Sequence, residues 1–308
     1  MTSEILNRSR PFFRLPRLGP VSSRGVATAI FLLLLSCTTR PSAALEKKPG
    51  GVFRRPAVSR VVIVILENEN GGVALEQPFL KKLAARGAYL SNYYALAHPS
   101  QPNYIGLISG SIDGVQGNRI GTVDRRHLGD LMTAKGLTWK SYAEDYPGGC
   151  DLRSHIGKYV RRHEPFLSFR SVQQGPVCAN VRPAGEFARD VQAGLANFVL
   201  YVPNNDHNGH DTGMAKADRW LQREFEPLLS DPHFMKGTLF VVTFDEAENS
   251  GPNRIFTVLY GDSVTPGTYG DVYDHYDLLR TVEEIFGLGT LGQHDAGATA
   301  RPITGVWK

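Results

Sequence analysis

The chain has 308 residues, with 34 Lys+Arg against 30 Asp+Glu and three cysteines. Five arginines (Arg8, Arg10, Arg14, Arg17 and Arg24) and Glu4 precede the apolar run "VATAIFLLLLS"; beyond it 29 basic residues (34 less five) face 29 acidic ones (30 less one). That even balance excludes a nucleic-acid partner held by bulk charge.

A basic stretch, a short apolar core and a small-residue exit, "PSAAL", together make a secretory signal over residues 1–44. The apolar run is too short to span a bilayer. Two endings are open: ordinary cleavage at Ala44, or cleavage before Cys37 in "LLSC", with lipidation of that cysteine as the only membrane attachment. The expected product is exported, periplasmic or secreted. Cys150 and Cys178 then remain, an even number in an exported chain, which predicts a disulfide between them; a buried free thiol at Cys178 is the alternative. Residues 45–57 read as a flexible lead-in and residues 58–308 as a single domain.

Strand-length apolar runs follow in order: Arg60–Leu66, Ala88–Ala95, Thr138–Ala143, Asn197–Val202, Leu239–Phe244 and Ile255–Tyr260. Several are continuous rather than alternating, as strands covered on both faces are. Between them lie amphipathic stretches, "QPFLKKLAARG", "HLGDLMTAKG", "ADRWLQREFEPLLS" and "DHYDLLRTVEEIFG", most ending on a glycine stop. This alternation predicts an α/β fold, a three-layer αβα sandwich around a mostly parallel sheet.

Two strand runs stop abruptly on polar groups: "VVIVIL" on Glu67-Asn68 and "TLFVVTF" on Asp245-Glu246. In open α/β sheets ligands sit beyond the carboxyl ends of the strands. If the two strands are parallel neighbours, these four side chains meet, and clustered carboxylates repel one another unless a cation joins them. The alternative is four solvated turn residues. Between these strands, "HPSQPNY" runs into an apolar helical pattern, with Pro102 in the first turn and Ser100 at the helix N-terminus. Free N–H groups there favour a phosphate, and a serine beside a cation is an activated nucleophile; a plain N-cap serine is the other reading.

"ILENEN", "HPSQPNY" and "VTFDEAEN" together resemble the phosphoesterase family of acid phosphatases and bacterial phospholipases C, within the alkaline phosphatase superfamily. Further resemblances follow in order: "GLTWKSYAED", "KYVRRHEPF", "PNNDHNGHDT", "ADRWL" and "VYDHYDLLRTVEEIFGL". The resemblance implies that Glu67, Asn68, Ser100, Asp245 and Glu246 hold one or more divalent cations. Ser100 would also form a phosphoseryl intermediate. His163 and His210 would act in catalysis, and Asn103, Asp211 and His275 would contact substrate. His275 has a structural alternative, because Asp274 could simply cap a helix. Asn208 stands where the family often has an acid two positions before the "H–D" pair, with Asp206 and His207 displaced. His98 reads as a pocket-lining or packing residue, and His127, His155, His233 and His294 as surface or structural.

The oxygen ligands favour Ca²⁺, Mg²⁺ or Mn²⁺, and a histidine in the shell would admit Zn²⁺. The expected activity is metal-dependent hydrolysis of a small phosphomonoester. A phospholipase C-type phosphodiesterase is the alternative on the same fold, and a non-catalytic exported binding protein is the alternative from another class.

Overall fold

The computed structural model describes residue 47 and residues 51–248, 251–298 and 300–308. The signal, with its endings at Cys37 or Ala44, lies outside the described residues. Among the described residues no helix is long and apolar enough to cross a membrane.

The strands are β1 (Arg60–Leu66), β2 (Ala88–Tyr94), β3 (Trp139–Ala143), β4 (His155–Ile156), β5 (Tyr159–Val160), β6 (Val181–Pro183), β7 (Phe198–Val202), β8 (Thr238–Phe244), β9 (Arg254–Ile255), β10 (Thr257–Tyr260) and β11 (Gly267–Asp274). The helices are α1 (Gly71–Glu76), α2 (Pro78–Arg86), α3 (Ser100–Ser109), α4 (Leu128–Ala134), α5 (Arg170–Gln174), α6 (Phe187–Ala193), α7 (Met214–Leu229), α8 (Pro232–Met235) and α9 (His275–Phe286). The main sheet runs β11-β2-β10-β8-β1-β7-β3-β6, with β9 paired to β2, while β4 and β5 form a separate hairpin. Five strand pairs of the main sheet are parallel; β9 and β10 run antiparallel to their neighbours. The sheet is therefore mixed, with helices on both sides. Helix α3 packs on α9 and α4, and α2 packs on α7.

Strand β1 lies at the centre, parallel to β7 and β8, and Val61 to Leu66 are all buried. A strand covered on both faces needs apolar side chains in both directions, hence the unbroken run. Each such side chain contributes about 1.5–3 kcal/mol relative to leaving it exposed. The amphipathic stretches all become helices, with ends within a few residues of expectation.

Three strand elements depart from the sequence reading. The run Ile255–Tyr260 is broken at Phe256 into β9 and β10, which serve different neighbours. Short β6 pairs only with β3. Strand β11, "GTYGDVYD", is an edge strand whose register against β2 shifts between Tyr269 and Val272. Glycine and aspartate weaken strand propensity, and an edge strand lacks the two-sided apolar pattern, so composition hid it.

Cys150 and Cys178 form the expected disulfide, with their Cα atoms 5.7 Å apart. On the chain-entropy model a loop of this length stabilises the fold by about 3–4 kcal/mol.

A second buried feature carries a pH dependence. Glu283 on α9 is 1% exposed, with its carboxyl beside Asp295. Burial, followed by the charge of Asp295, pushes this carboxyl up to about 9. The folded state thus holds the proton far more tightly than the unfolded state does. Its contribution is complete below the ordinary glutamate range and is lost as pH rises towards about 9. Glu283→Gln, which keeps the neutral shape, is expected to flatten this dependence. Melting scans from pH 5 to pH 9 should show the variant gaining several degrees over wild type at the alkaline end; parallel curves would refute the assignment.

Candidate active site

The site follows from one register. Strands β1 and β8 are parallel neighbours with Leu66 opposite Phe244, so Glu67 and Asp245 leave the sheet side by side. The Asp245 N–H donates to Leu66 O at 2.9 Å, which extends the pairing by one residue. Asn68 then turns the chain with φ of 46°, a left-handed conformation that asparagine tolerates better than most residues. This turn aims the Asn68 N–H at Asp245 Oδ1, 3.0 Å away. Turned about its last torsion, the Asn68 amide donates to Glu246 Oε1 at 3.2 Å and to both Asp245 oxygens at 3.2 and 3.3 Å.

Helix α3 delivers the serine. Ser100 is its first residue, and all ten residues of the helix are buried. Ser100 Oγ donates to Glu246 Oε1 at 3.0 Å and lies 3.3 Å from both Glu67 Oε2 and the Asn68 side-chain amide. Glu67, Asn68 and Glu246 therefore converge on the Ser100 hydroxyl, and the Asn68 N–H holds Asp245 beside them. The first turn offers fewer free donors than the sequence suggests: Pro102 has no N–H, and the Gln101 N–H is taken by Asn118 Oδ1 at 3.0 Å.

Three carboxylates buried around one serine are electrostatically unfavourable. Burial, then the Asp245 charge, pushes Glu67 well above the usual carboxylate range, against a hydrogen bond from the Tyr104 hydroxyl. Burial, then the Glu246 charge, pushes Asp245 up to about 8. Glu246 is raised chiefly by burial, while His98, whose Nδ1 pairs with Glu246 Oε2, opposes the shift.

His163 stands on a 3₁₀ turn after β5 and stacks on the Tyr104 ring at 5.3 Å, with Nε2 3.4 Å from Glu67 Oε1. That nitrogen is buried without a hydrogen-bond partner, and burial holds the imidazole well below its ordinary range, hence neutral. Arg162, beside it, projects positive charge onto Glu67, Tyr104 and His163.

The segment carrying His210 is tied to the site by its backbone. The Glu67 N–H donates to Asn208 O at 2.9 Å, and Gly209, with φ of 105°, passes close to Glu67 O. His210 is exposed; its Nδ1 lies 2.8 Å from Asp211 Oδ1, and this bond holds the Asp211 carboxyl below its ordinary value. His210 lies close enough to Glu246 and His163 to act on both electrostatically. Asn208, in place of the expected acid, accepts from the His210 N–H at 2.9 Å, and displaced Asp206 pairs with Lys158 at 3.1 Å.

Two expected substrate contacts take other work. Asn103 is fully buried; its Oδ1 accepts from Leu96 N and Ala97 N at 2.8 and 3.0 Å, and its Nδ2 donates to Ala97 O at 2.8 Å. It braces the loop before Ser100, because a loop that turns sharply into a buried helix must pair its backbone groups. His275 is also fully buried, with Nδ1 3.2 Å from the Tyr93 hydroxyl and Nε2 2.9 Å from Asp245 O. It holds the Asp245 backbone from behind, while Asp274 caps α9 by accepting from Tyr276 N and Asp277 N. A lone sequence cannot distinguish a histidine facing substrate from one a shell behind.

Conversely, His98 and Tyr104 reach the carboxylates, although only their place within "HPSQPNY" pointed to them. Glu144, just past β3, accepts from His207 Nδ1 at 2.7 Å, Asn204 N at 3.0 Å and Trp220 Nε1 at 3.1 Å, fixing the base of the His210 segment.

Among the described residues no three His, Cys, Asp and Glu side chains stand in ready-made metal geometry. The donor chemistry nevertheless fits a hard cation: three carboxylates, an amide and a hydroxyl share one buried locus. Charge supplies the second argument. Among the described residues only His163 and His98 reach ion-pair distance of Glu67 and Glu246, and His163 is neutral.

The fold is similar to that of proteins of the alkaline phosphatase superfamily. A member from Vibrio parahaemolyticus superposes with a TM-score of 0.56 over 83% of this chain and 74% of its own, at 12% sequence identity. The profile of the Phosphoesterase family matches residues 74–289, a span that takes in Ser100, His163, His210 and Asp245-Glu246. The chain belongs to that family and is a hydrolase of phosphate esters. A phosphatidylinositol-3-phosphatase of Mycobacterium tuberculosis is 34% identical over 258 residues, covering 82% of this chain and 84% of its own length. A phosphate-repressible acid phosphatase of Penicillium chrysogenum is 32% identical over 271 residues; the match takes in 83% of this chain but just under two thirds, 66%, of the relative.

Proposed function

We propose that the protein is a metal-dependent phosphomonoesterase that works through a phosphoserine at Ser100. The observation that carries this reading is the convergence of Glu67, Asn68 and Glu246 on the Ser100 hydroxyl at the N-terminus of α3, with Asp245 joined to them through the Asn68 N–H. Both relatives named above are phosphatases by name, which supports the monoester.

A divalent cation held by Glu67, Asn68, Ser100, Asp245 and Glu246 would supply positive charge against the phosphoryl group and favour ionisation of the serine. Glu246 accepts the Ser100 hydrogen bond at 3.0 Å and so stands ready for its proton, backed by His98. Ser100 Oγ forms the new bond to phosphorus as the ester oxygen leaves on the opposite side. His210, oriented by Asp211 and open to solvent, gives a proton to the departing alkoxide. Water then cleaves the serine–phosphorus bond and restores the hydroxyl. Arg162 and neutral His163 flank the phosphoryl oxygens. The disulfide supports an exported location, because such bonds persist in oxidising compartments; ordinary cleavage at Ala44 and an anchor at Cys37 both fit that location.

The test is hydrolysis of p-nitrophenyl phosphate against bis(p-nitrophenyl) phosphate by residues 45–308 at pH 5 and pH 8. Preference for the monoester is expected. Preference for the diester would replace the reading with a phosphodiesterase, and failure to turn over either in metal-loaded protein would favour a binding role.

A further inference from the structure

Immediately beside Ser100, Gln101 is 2% exposed, and its buried Oε1 has no hydrogen-bond partner among the described residues. A buried amide left unpaired is costly, so its persistence calls for a partner. The same residue lines a cavity of about 420 Å³, enclosed on the far side by the loop from Gly114 to Val123. Asn118 holds that loop against α3 through its bond to the Gln101 N–H. Gln116, Arg119 and Thr122 supply the remaining polar side chains of the wall, Val115, Ile120 and Val123 its apolar part, and among the described residues no carboxylate lines it. Gln101 follows Ser100 directly on α3, so one wall of the cavity belongs to the helical turn that carries the serine.

We propose that this cavity receives the alcohol part of the substrate, and that it selects a hydroxylated alcohol bearing a second anionic group. This rests on the phosphomonoesterase reading of Ser100. The Gln101 amide pairs with hydroxyls of the alcohol and relieves its own unpaired state. Arg119 is exposed and is the one charged residue of the lining; its guanidinium pairs with the second anion. The volume suits a sugar-sized alcohol rather than a methyl or nitrophenyl group alone.

Fructose 6-phosphate and fructose 1,6-bisphosphate differ by one phosphate and make the matched pair, with p-nitrophenyl phosphate as reference. Wild-type kcat/KM is expected to favour the bisphosphate by at least about ten-fold, the effect of one charge-assisted hydrogen bond. Arg119→Gln should bring that ratio down to about two-fold, mainly through a higher KM for the bisphosphate, and Arg119→Lys should restore part of it. Gln101→Leu should raise KM for both fructose esters more than for p-nitrophenyl phosphate. A wild-type ratio near two, or a ratio that Arg119→Gln leaves intact, overturns the anion subsite. Equal KM shifts for all three esters in Gln101→Leu overturn the role of Gln101. If wild type turns over p-nitrophenyl phosphate, either failure belongs to the subsite alone; if it turns over no monoester, the catalytic reading falls and the subsite with it.

Discussion

Replacing Ser100 by alanine is expected to lower kcat for p-nitrophenyl phosphate by at least about 10³-fold while leaving the melting temperature within a few degrees of wild type. Loss of a nucleophile removes the covalent route altogether, and in a well-studied hydrolase it costs about as much as losing the whole catalytic apparatus. Two features make the effect separable from misfolding. The Ser100 hydroxyl contacts the side chains of Glu67, Asn68 and Glu246, so its removal leaves the α3 backbone and the Asn103 brace intact. The variant also deletes one hydroxyl from a locus crowded with carboxylates and introduces no new volume. Asn103→Ala would be the contrasting control: it strips both Leu96 N and Ala97 N of their acceptor and should lose stability and activity together. Quench-flow trapping of phosphoprotein should detect label on wild type and none on Ser100→Ala. A Ser100→Ala kcat within ten-fold of wild type would dismiss the phosphoserine route.

What the sequence made legible was whatever depends on local pattern. The unbroken run from Val61 to Leu66 marked a buried central strand, and its halt on Glu67 marked a ligand-facing end, because polar groups are kept out of a sheet covered on both faces. The matching halt after Phe244 gave the partner, and the parallel register places the two ends together. Less legible were residues whose role depends on depth. His275 and His98 both sit in family-like segments, yet His275 spends both nitrogens behind Asp245 while His98 reaches Glu246. Nothing in a one-dimensional pattern records which of two histidines lies a shell further from the ligand. The bracing role of Asn103 was hidden for a related reason: its amide answers backbone groups of a loop whose course only the fold reveals. The Glu144 brace joins β3 to a segment some sixty residues later, and no spacing rule connects them.

Asp245→Asn should abolish turnover and also reverse the response of stability to metal, a combination that catalysis alone does not produce. In wild type, three buried carboxylates repel one another, and burial already pushes Asp245 up to about 8. A cation that binds only the folded state stabilises it in proportion to the logarithm of its concentration, so chelation should lower the wild-type melting temperature and abolish monoester hydrolysis, both restored by add-back. Asparagine keeps the shape of Asp245 and can still accept from the Asn68 N–H, but it removes one negative charge from the cluster. In chelator the variant should therefore melt higher than wild type, because the repulsion is relieved. With Mg²⁺, Ca²⁺, Mn²⁺ or Zn²⁺ added, the order should invert, because the amide is the poorer ligand for a hard cation. The ion that inverts it at the lowest concentration is the best candidate for the native metal. An Asp245→Asn protein that gains as much stability from each ion as wild type does would mean that Asp245 is not a ligand, and wild-type hydrolysis that survives exhaustive chelation would remove the metal from the reaction.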